Sequence, residues 1–169
     1  MSGSTSEGLS ETMIERMRAI GLRLDRAGTF WHEGTAVTHP RLRQALLRWL
    51  DVRDDGRDIV RLDDRRYAYV DVEDAHLRAR SARWDGNRCF VLWDDDRETE
   101  LAYDSLRQAP DHALYTTVHT RLRGRIAGPA FHAIAERIVD GGDAGDAGNG
   151  DGGFALDAAG QRWPIANAA

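Results

Sequence analysis

Pro40-Arg41-Leu42-Arg43-Gln44-Ala45-Leu46-Leu47-Arg48-Trp49-Leu50 and Pro129-Ala130-Phe131-His132-Ala133-Ile134-Ala135-Glu136-Arg137-Ile138-Val139 share one layout. In the first, Leu42, Ala45, Leu46, Trp49 and Leu50 stand at relative positions 0, 3, 4, 7 and 8, the spacing of one apolar helical face. Phe131, Ile134, Ala135, Ile138 and Val139 repeat that spacing 89 residues later. In both, Pro lies two residues before the first apolar position, where it suits the first helical turn. Val37 and Ile126 match at the same offset.

Strand signals flank both helices. Leu22 and Leu24 alternate with Arg23 and Asp25, and Thr29–His32 and Thr35–Thr38 read as strands around a Glu33-Gly34 turn. Asp58–Leu62 and Arg65–Glu73 form a hairpin around Asp63-Asp64. His76–Ala82, Arg88–Trp93 and Thr99–Tyr103 read as three further strands. The continuous apolar run Cys89–Trp93 is expected at a sheet centre. Ala113–Val118 and Leu122–Ile126 pair ahead of the second helix, and Phe154–Ile165 closes as a hairpin around Ala158-Ala159-Gly160. Leu9, Met13, Met17 and Ile20 mark one face of an N-terminal helix that Ser10 caps and Gly21 ends.

The order predicts a degenerate duplication of a strand–strand–helix–strand–strand unit. The expected fold is α+β: two related roll-like lobes, each a curved, mainly antiparallel sheet with one amphipathic helix. Residues 1–20 read as a flexible tail and the N-terminal helix, 21–75 as the first lobe, and 76–169 as the second. The second carries a Gly/Asp-rich loop over 141–153. The seam between the lobes is the expected ligand site.

The chain has 169 residues, and all 23 basic ones are Arg. Without Lys, a Walker-type phosphate loop and Schiff-base chemistry are excluded. A net charge of −5 gives no basic field for wholesale nucleic-acid binding. No window reads as a membrane span and no signal peptide is evident, so a cytoplasmic protein without membrane or nucleic-acid partners is expected. Cys89 stands alone, which removes an internal disulfide and a Cys-rich zinc site. No cofactor and no metal are expected.

The segment Thr29–Val37 leading into Pro40 resembles a bacterial family catalogued as domain of unknown function 1285. Val70-Asp71-Val72-Glu73-Asp74-Ala75 is similar to that family's central valine–glutamate–aspartate–alanine signature. Thr117-Val118-His119 through Arg125-Ile126, then Phe131 and Trp163-Pro164-Ile165, are similar as well. The resemblance covers Leu22 to Ile165. His76-Leu77 departs from the Pro and aromatic residue expected after the signature, and the Gly/Asp loop is longer. The resemblance implies a two-lobed, roll-like α+β architecture and no particular reaction.

Asp71, Glu73 and Asp74 form the best acidic cluster. On a strand, Asp71 and Glu73 share a side with Tyr67 and Tyr69. Paired carboxylates suit acid/base work, with Glu73 and Asp71 as the weak catalytic candidates. They equally suit a strand end paired with Arg78 and Arg80. Arg121, Arg123 and Arg125 alternate along a strand, a row able to hold a phosphate or carboxylate. His32-Glu33 lacks the second His of a zinc protease, since position 36 is Ala36. Asn149-Gly150-Asp151-Gly152 matches part of a calcium loop, but Ala147 and Ala158 fall on its ligand positions. A buried, inert thiol is expected for Cys89.

Three functions follow. The first is a non-enzymatic binding or regulatory module for an anionic small ligand or an acidic protein partner. It would use Arg121, Arg123 and Arg125 with Tyr69, Asp71 and Glu73. The second is a small enzyme using Asp71 or Glu73. The third is a homodimeric interaction module.

Overall fold

A computed structural model describes residues 11–141 and 153–168. Leu9, the Ser10 cap, the N-terminal tail and the calcium-like stretch all lie outside the described residues. Two compact units divide the chain, one ending at Asp74 and the other beginning at Ala75. The fold class expected from the sequence is found: α+β, mostly strands, with few helices.

The first unit runs α1 (Glu11–Arg18), β1 (Leu22–Leu24), β2 (Phe30–His32), β3 (Thr35–Ala36), α2 (Pro40–Trp49), β4 (Leu50–Val52), β5 (Asp58–Arg61) and β6 (Tyr67–Val72). Its strands make one sheet in the order β3-β2-β1-β6-β5-β4. All pairings are antiparallel except the central one, where β1 and β6 run parallel with Leu22 opposite Val70. Pro40 starts α2 as expected, and His39 caps it by accepting the Leu42 N–H on Nδ1 at 3.3 Å.

Helix α2 buries Leu46 and Leu47, and Leu50 is buried at the start of β4. Leu42 and Trp49, expected in the core, are exposed instead. The inward stripe is turned by one position, so Leu47 takes the place expected for a flanking residue. Phe30, Leu24 and Ile59 have no exposed surface. Each stabilises the unit by about 1.5–3 kcal/mol.

The second unit begins with β7 (Leu77–Asp85), β8 (Arg88–Trp93) and β9 (Glu98–Glu100). A 3-10 turn over Tyr103–Ser105 replaces the end of the third strand read from the sequence. Then follow β10 (Arg107–Gln108), β11 (Leu114–Val118), β12 (Leu122–Ile126), α3 (Gly128–Ala135), β13 (Ile138–Asp140), β14 (Phe154–Ala158), β15 (Gln161–Pro164) and β16 (Ala166–Asn167). One sheet has the order β16-β10-β11-β12-β7-β8-β9, and a second has β13-β14-β15. Helix α3 is shorter than its apolar spacing predicts, because Ile138 and Val139 already belong to β13. Trp84 of β7 donates its indole N–H to the Ala133 carbonyl of α3 at 2.8 Å, and Arg137 stacks on that ring at 3.9 Å.

Run β8 does not lie at the sheet centre. It is next to the edge strand β9, with Cys89, Val91 and Trp93 buried and Phe90 and Leu92 half-buried. On the outer side, Arg83 and Arg88 lie 4.8 and 5.2 Å from the Phe90 ring. Each arginine is clamped by a β9 carboxylate, Arg83 by Glu98 and Arg88 by Glu100. Guanidinium stems thus cover an apolar residue that periodicity alone assigns to a core.

The duplication is visible in the pairing. Each unit contains an antiparallel meander, a helix, and a second antiparallel meander: β1-β2-β3, α2, β4-β5-β6 in one, and β10-β11-β12, α3, β13-β14-β15 in the other. In each, the first strand pairs parallel with the last: β1 with β6, and β10 with β16, which follows β15 directly. The first turn also recurs. Asp25 N–H donates to the Thr29 carbonyl and Gly28 N–H to that of Asp25, both at 3.0 Å; Ala109 and Ala113, His112 and Ala109 repeat this at 2.9 Å. Gly28 and His112 occupy the same left-handed position, with φ of 88° and 67°. Strands β7, β8 and β9 are the addition, joined to the repeat through the parallel β12–β7 pair.

Candidate functional site

Strand β6 alternates, so Tyr67, Tyr69 and Asp71 leave the same side of the first unit's sheet while Val70 enters the core. Ile59 pairs with Tyr69 and Arg61 with Tyr67 across β5. Between β4 and β5, Arg53-Asp54-Asp55-Gly56-Arg57 makes a tight turn. It closes by the Arg53 N–H donating to the Arg57 carbonyl at 2.9 Å, with Gly56 at φ 85°. That turn brings two guanidinium groups to the tyrosines.

The Tyr69 hydroxyl accepts from Arg53 Nη1 at 2.5 Å and donates to the Glu15 carboxylate. The Tyr67 hydroxyl accepts from Arg53 at 2.8 Å and from Arg18. The two rings meet edge-on, 5.9 Å apart. Arg18 lies 3.8 Å over the Tyr67 ring and Arg57 lies 4.5 Å over the Tyr69 ring. Helix α1 completes the cluster. Glu15 receives Arg18 Nη1 at 2.9 Å and faces Arg53 and Arg57 at 3.6 Å each. Asp55 ties Arg57 at 3.0 Å and Arg53 at 3.6 Å.

The electrostatics follow from these contacts. The Tyr69 hydroxyl, and then Arg18, Arg53 and Arg57, hold the Glu15 carboxyl below its ordinary range. Desolvation and the bond to Glu15 push the Tyr69 phenol up to about 12, so it stays a proton donor. A shallow concavity lies on each side. One of about 320 Å³ is lined by Arg57, Tyr69 and Asp71 with Ala19, Gly21, Leu22, Asp58 and Val70. The other, of about 440 Å³, is lined by Arg18, Arg65, Arg66 and Tyr67 with Ile14, Met17, Leu62 and Ala68. Both volumes suit small ligands or single side chains.

Of the residues singled out in the sequence, Tyr69 and Asp71 come together at the first concavity. Asp71 is exposed and makes no side-chain hydrogen bond or ion pair among the described residues. Glu73 is elsewhere: it is ion-paired with Arg23, accepts the Arg26 N–H at 3.2 Å, and is 40% exposed. That is a strand-end bridge, with β1 supplying the cation. Arg78 and Arg80, the partners expected from sequence, reach Asp94 and Asp96.

The arginine row is also changed. Arg121 falls in the turn between β11 and β12, so only Arg123 and Arg125 alternate on the strand. Arg125 donates to Asp111 at 2.6 Å and to the Tyr115 hydroxyl. The sequence reading missed Glu15, Arg18, Arg53 and Arg57. A signal existed for two of them: a tight Asp-Asp-Gly turn puts Arg53 and Arg57 opposite one another.

Elsewhere, Asp95 is fully buried and held by Arg97 at 2.6 Å and His119 at 3.2 Å. His76, also buried, accepts the Arg123 N–H on Nδ1 at 2.8 Å. Burial pushes the Cys89 thiol up to about 11, against the pull of Arg137, so its expected inertness has a physical cause. Among the described residues no group of His, Cys, Asp or Glu side chains can hold a metal ion. Among them, too, no helix is long and apolar enough to cross a membrane.

Two solved structures are similar in fold. A DUF1285 family protein from Silicibacter pomeroyi DSS-3 is 19% identical, with a TM-score of 0.67 over 88% of this chain and 81% of that one. A DUF1285 family protein from Shewanella baltica OS155 is 15% identical, with a TM-score of 0.59 over 70% of this chain and 93% of that one. No family model and no curated protein matches the chain. At these identities the likeness is one of fold, and it bears out the resemblance carried by the valine–glutamate–aspartate–alanine stretch and its neighbours.

Proposed function

We propose that this chain, as a member of that family, is a cytoplasmic, non-enzymatic binding module for an anionic ligand or acidic partner. Recognition is by the cradle of Arg53, Arg57 and Tyr69, with Tyr67 beneath. One observation carries this reading: a carboxylate, that of Glu15, is bound by the Tyr69 hydroxyl and faced by both guanidinium groups. Planar guanidinium groups and a phenolic donor are the side chains that grip carboxylate and phosphate oxygens. Arg123 and Arg125 are weaker candidates, because the row they were to form with Arg121 is broken by the turn that holds Arg121. The enzyme reading loses Glu73 to its bridge with Arg23 and keeps only Asp71, whose exposure leaves its carboxyl without a desolvating pocket.

Titration calorimetry with inorganic pyrophosphate, at fixed ionic strength, tests the proposal. A hydrogen bond to a charged group contributes about 1.5–3 kcal/mol, so Arg57→Ala and Tyr69→Phe should each weaken binding tenfold or more. Asp71→Asn should leave it within about twofold or improve it. Binding that is lost with Asp71→Asn and kept with Arg57→Ala refutes the cradle.

A further inference from the structure

We infer that Glu15 is a tethered competitor at this anion site, and that a phosphate group entering the cradle displaces it and loosens α1 from the sheet, an inference resting on the binding reading above. The fit of Glu15 is uneven. Its carboxylate is bonded to the Tyr69 hydroxyl, yet it stands 3.6 Å from Arg53 and from Arg57. Charge-assisted N–H···O bonds close at about 2.7–2.9 Å. Bonded also to Arg18 of its own helix at 2.9 Å, the planar carboxylate therefore reaches one of the cradle's three donors well and two poorly. A tetrahedral phosphate has three oxygens to offer and more charge, so it can meet the phenol and both guanidinium groups together.

The tether is weakly held. Of the helix and the residues that follow it, Ile14 is 36%, Met17 65% and Ile20 39% exposed, although Met17 and Ile20 belong to the apolar face read from the sequence. Among the described side chains, what attaches α1 is polar: Glu15 to Tyr69, and Arg18 to the Tyr67 hydroxyl and, at 3.5 Å, to the Arg65 carbonyl. Such contacts at a surface contribute little, so exchange of one anion for another costs little. The position of the Glu15 carboxylate and that of the incoming phosphate overlap at the Tyr69 hydroxyl, so the two are mutually exclusive.

Competition from within the chain lowers apparent affinity by the fraction of molecules whose cradle is open. With that fraction at about one tenth, removing the competitor tightens binding about tenfold. Glu15→Ala removes the carboxylate and keeps a strong helix former in α1. The full chain and this variant are titrated with inorganic pyrophosphate by calorimetry at fixed ionic strength. Hydrogen exchange of the α1 amides is followed in the unmodified chain with and without pyrophosphate. The expected result is about tenfold tighter binding by Glu15→Ala and faster α1 exchange on adding pyrophosphate. Equal or weaker binding by the variant, or α1 exchange that does not change, overturns the competitor while leaving the cradle in place. No binding by either protein overturns the cradle as well. The exchange measurement needs no substitution, so it decides the matter even if Glu15→Ala does not fold.

Discussion

Replacing Gly124 by Ala should destabilise the second unit by about 2 kcal/mol, where the same change in an unobstructed strand would stabilise it. Gly124 lies on β12 with its missing side chain aimed at the core. A Cβ there would sit 2.5 Å from Trp93 Cη2, 2.5 Å from Val118 Cγ2 and 2.6 Å from Trp93 Cζ3. Carbon atoms rest comfortably at about 3.5–4.0 Å, so the neighbours must retreat by about 1 Å. They have little room: Trp93 is 1% and Val118 2% exposed. The Trp93 ring is also held by its indole N–H, which donates to Thr99 Oγ1 at 2.9 Å.

Overpacking of this kind costs about 1–3 kcal/mol. For a unit of this size, 2 kcal/mol lowers Tm by about 8–16 °C. Thermal and urea melts followed by tryptophan fluorescence measure it. Trp93→Phe, which removes the colliding ring atoms, should make Gly124→Ala cheaper than it is in the native background, a coupling a double-mutant cycle reads directly. A Gly124→Ala protein within about 0.5 kcal/mol of the native one, with no coupling to Trp93, refutes this packing.

Two further outcomes follow from the titratable groups. With its thiol pushed up to about 11 and buried, Cys89 should not react with a thiol reagent at pH 8 in the folded protein and should react at once in urea; fast labelling of the native state would contradict this. Arg83 and Arg88 hold the Glu98 and Glu100 carboxyls below their ordinary 4.5. A carboxyl lowered by folding stabilises the folded state above its unfolded pKa and ceases to do so as pH falls through its folded one. Urea midpoints should therefore drop between about pH 5 and pH 3, and drop less in a Glu98→Gln, Glu100→Gln protein. Equal slopes in the two proteins would show that these pairs do not carry the effect.

Both helix starts, the hairpin turns and the order of the repeat are legible in the sequence because Pro, Gly and apolar spacing act locally. Leu42, Trp49 and the β8 run were misplaced because spacing identifies an apolar stripe without saying what covers it. Arginine stems cover Phe90, and nothing among the described residues buries Leu42. The candidate site was half legible. Tyr69 and Asp71 share a strand face by simple alternation. Glu15 and Arg53 reach Tyr69 from 54 and 16 residues away, by pairings that no local pattern encodes.

The parallel pairing that closes each repeat also governs how the chain matures on the ribosome. Leu22 waits for Val70, 48 positions on, and Arg107 waits for Ala166, 59 positions on. Until those late strands emerge, a strand edge of each repeat stands unpaired and open to other nascent chains. Such distant pairings slow folding and prolong the interval of exposure. A chain stalled before Tyr67 has β1 and β2 but lacks the strand that joins them to β5, so it should be the form that chaperones hold and proteases remove.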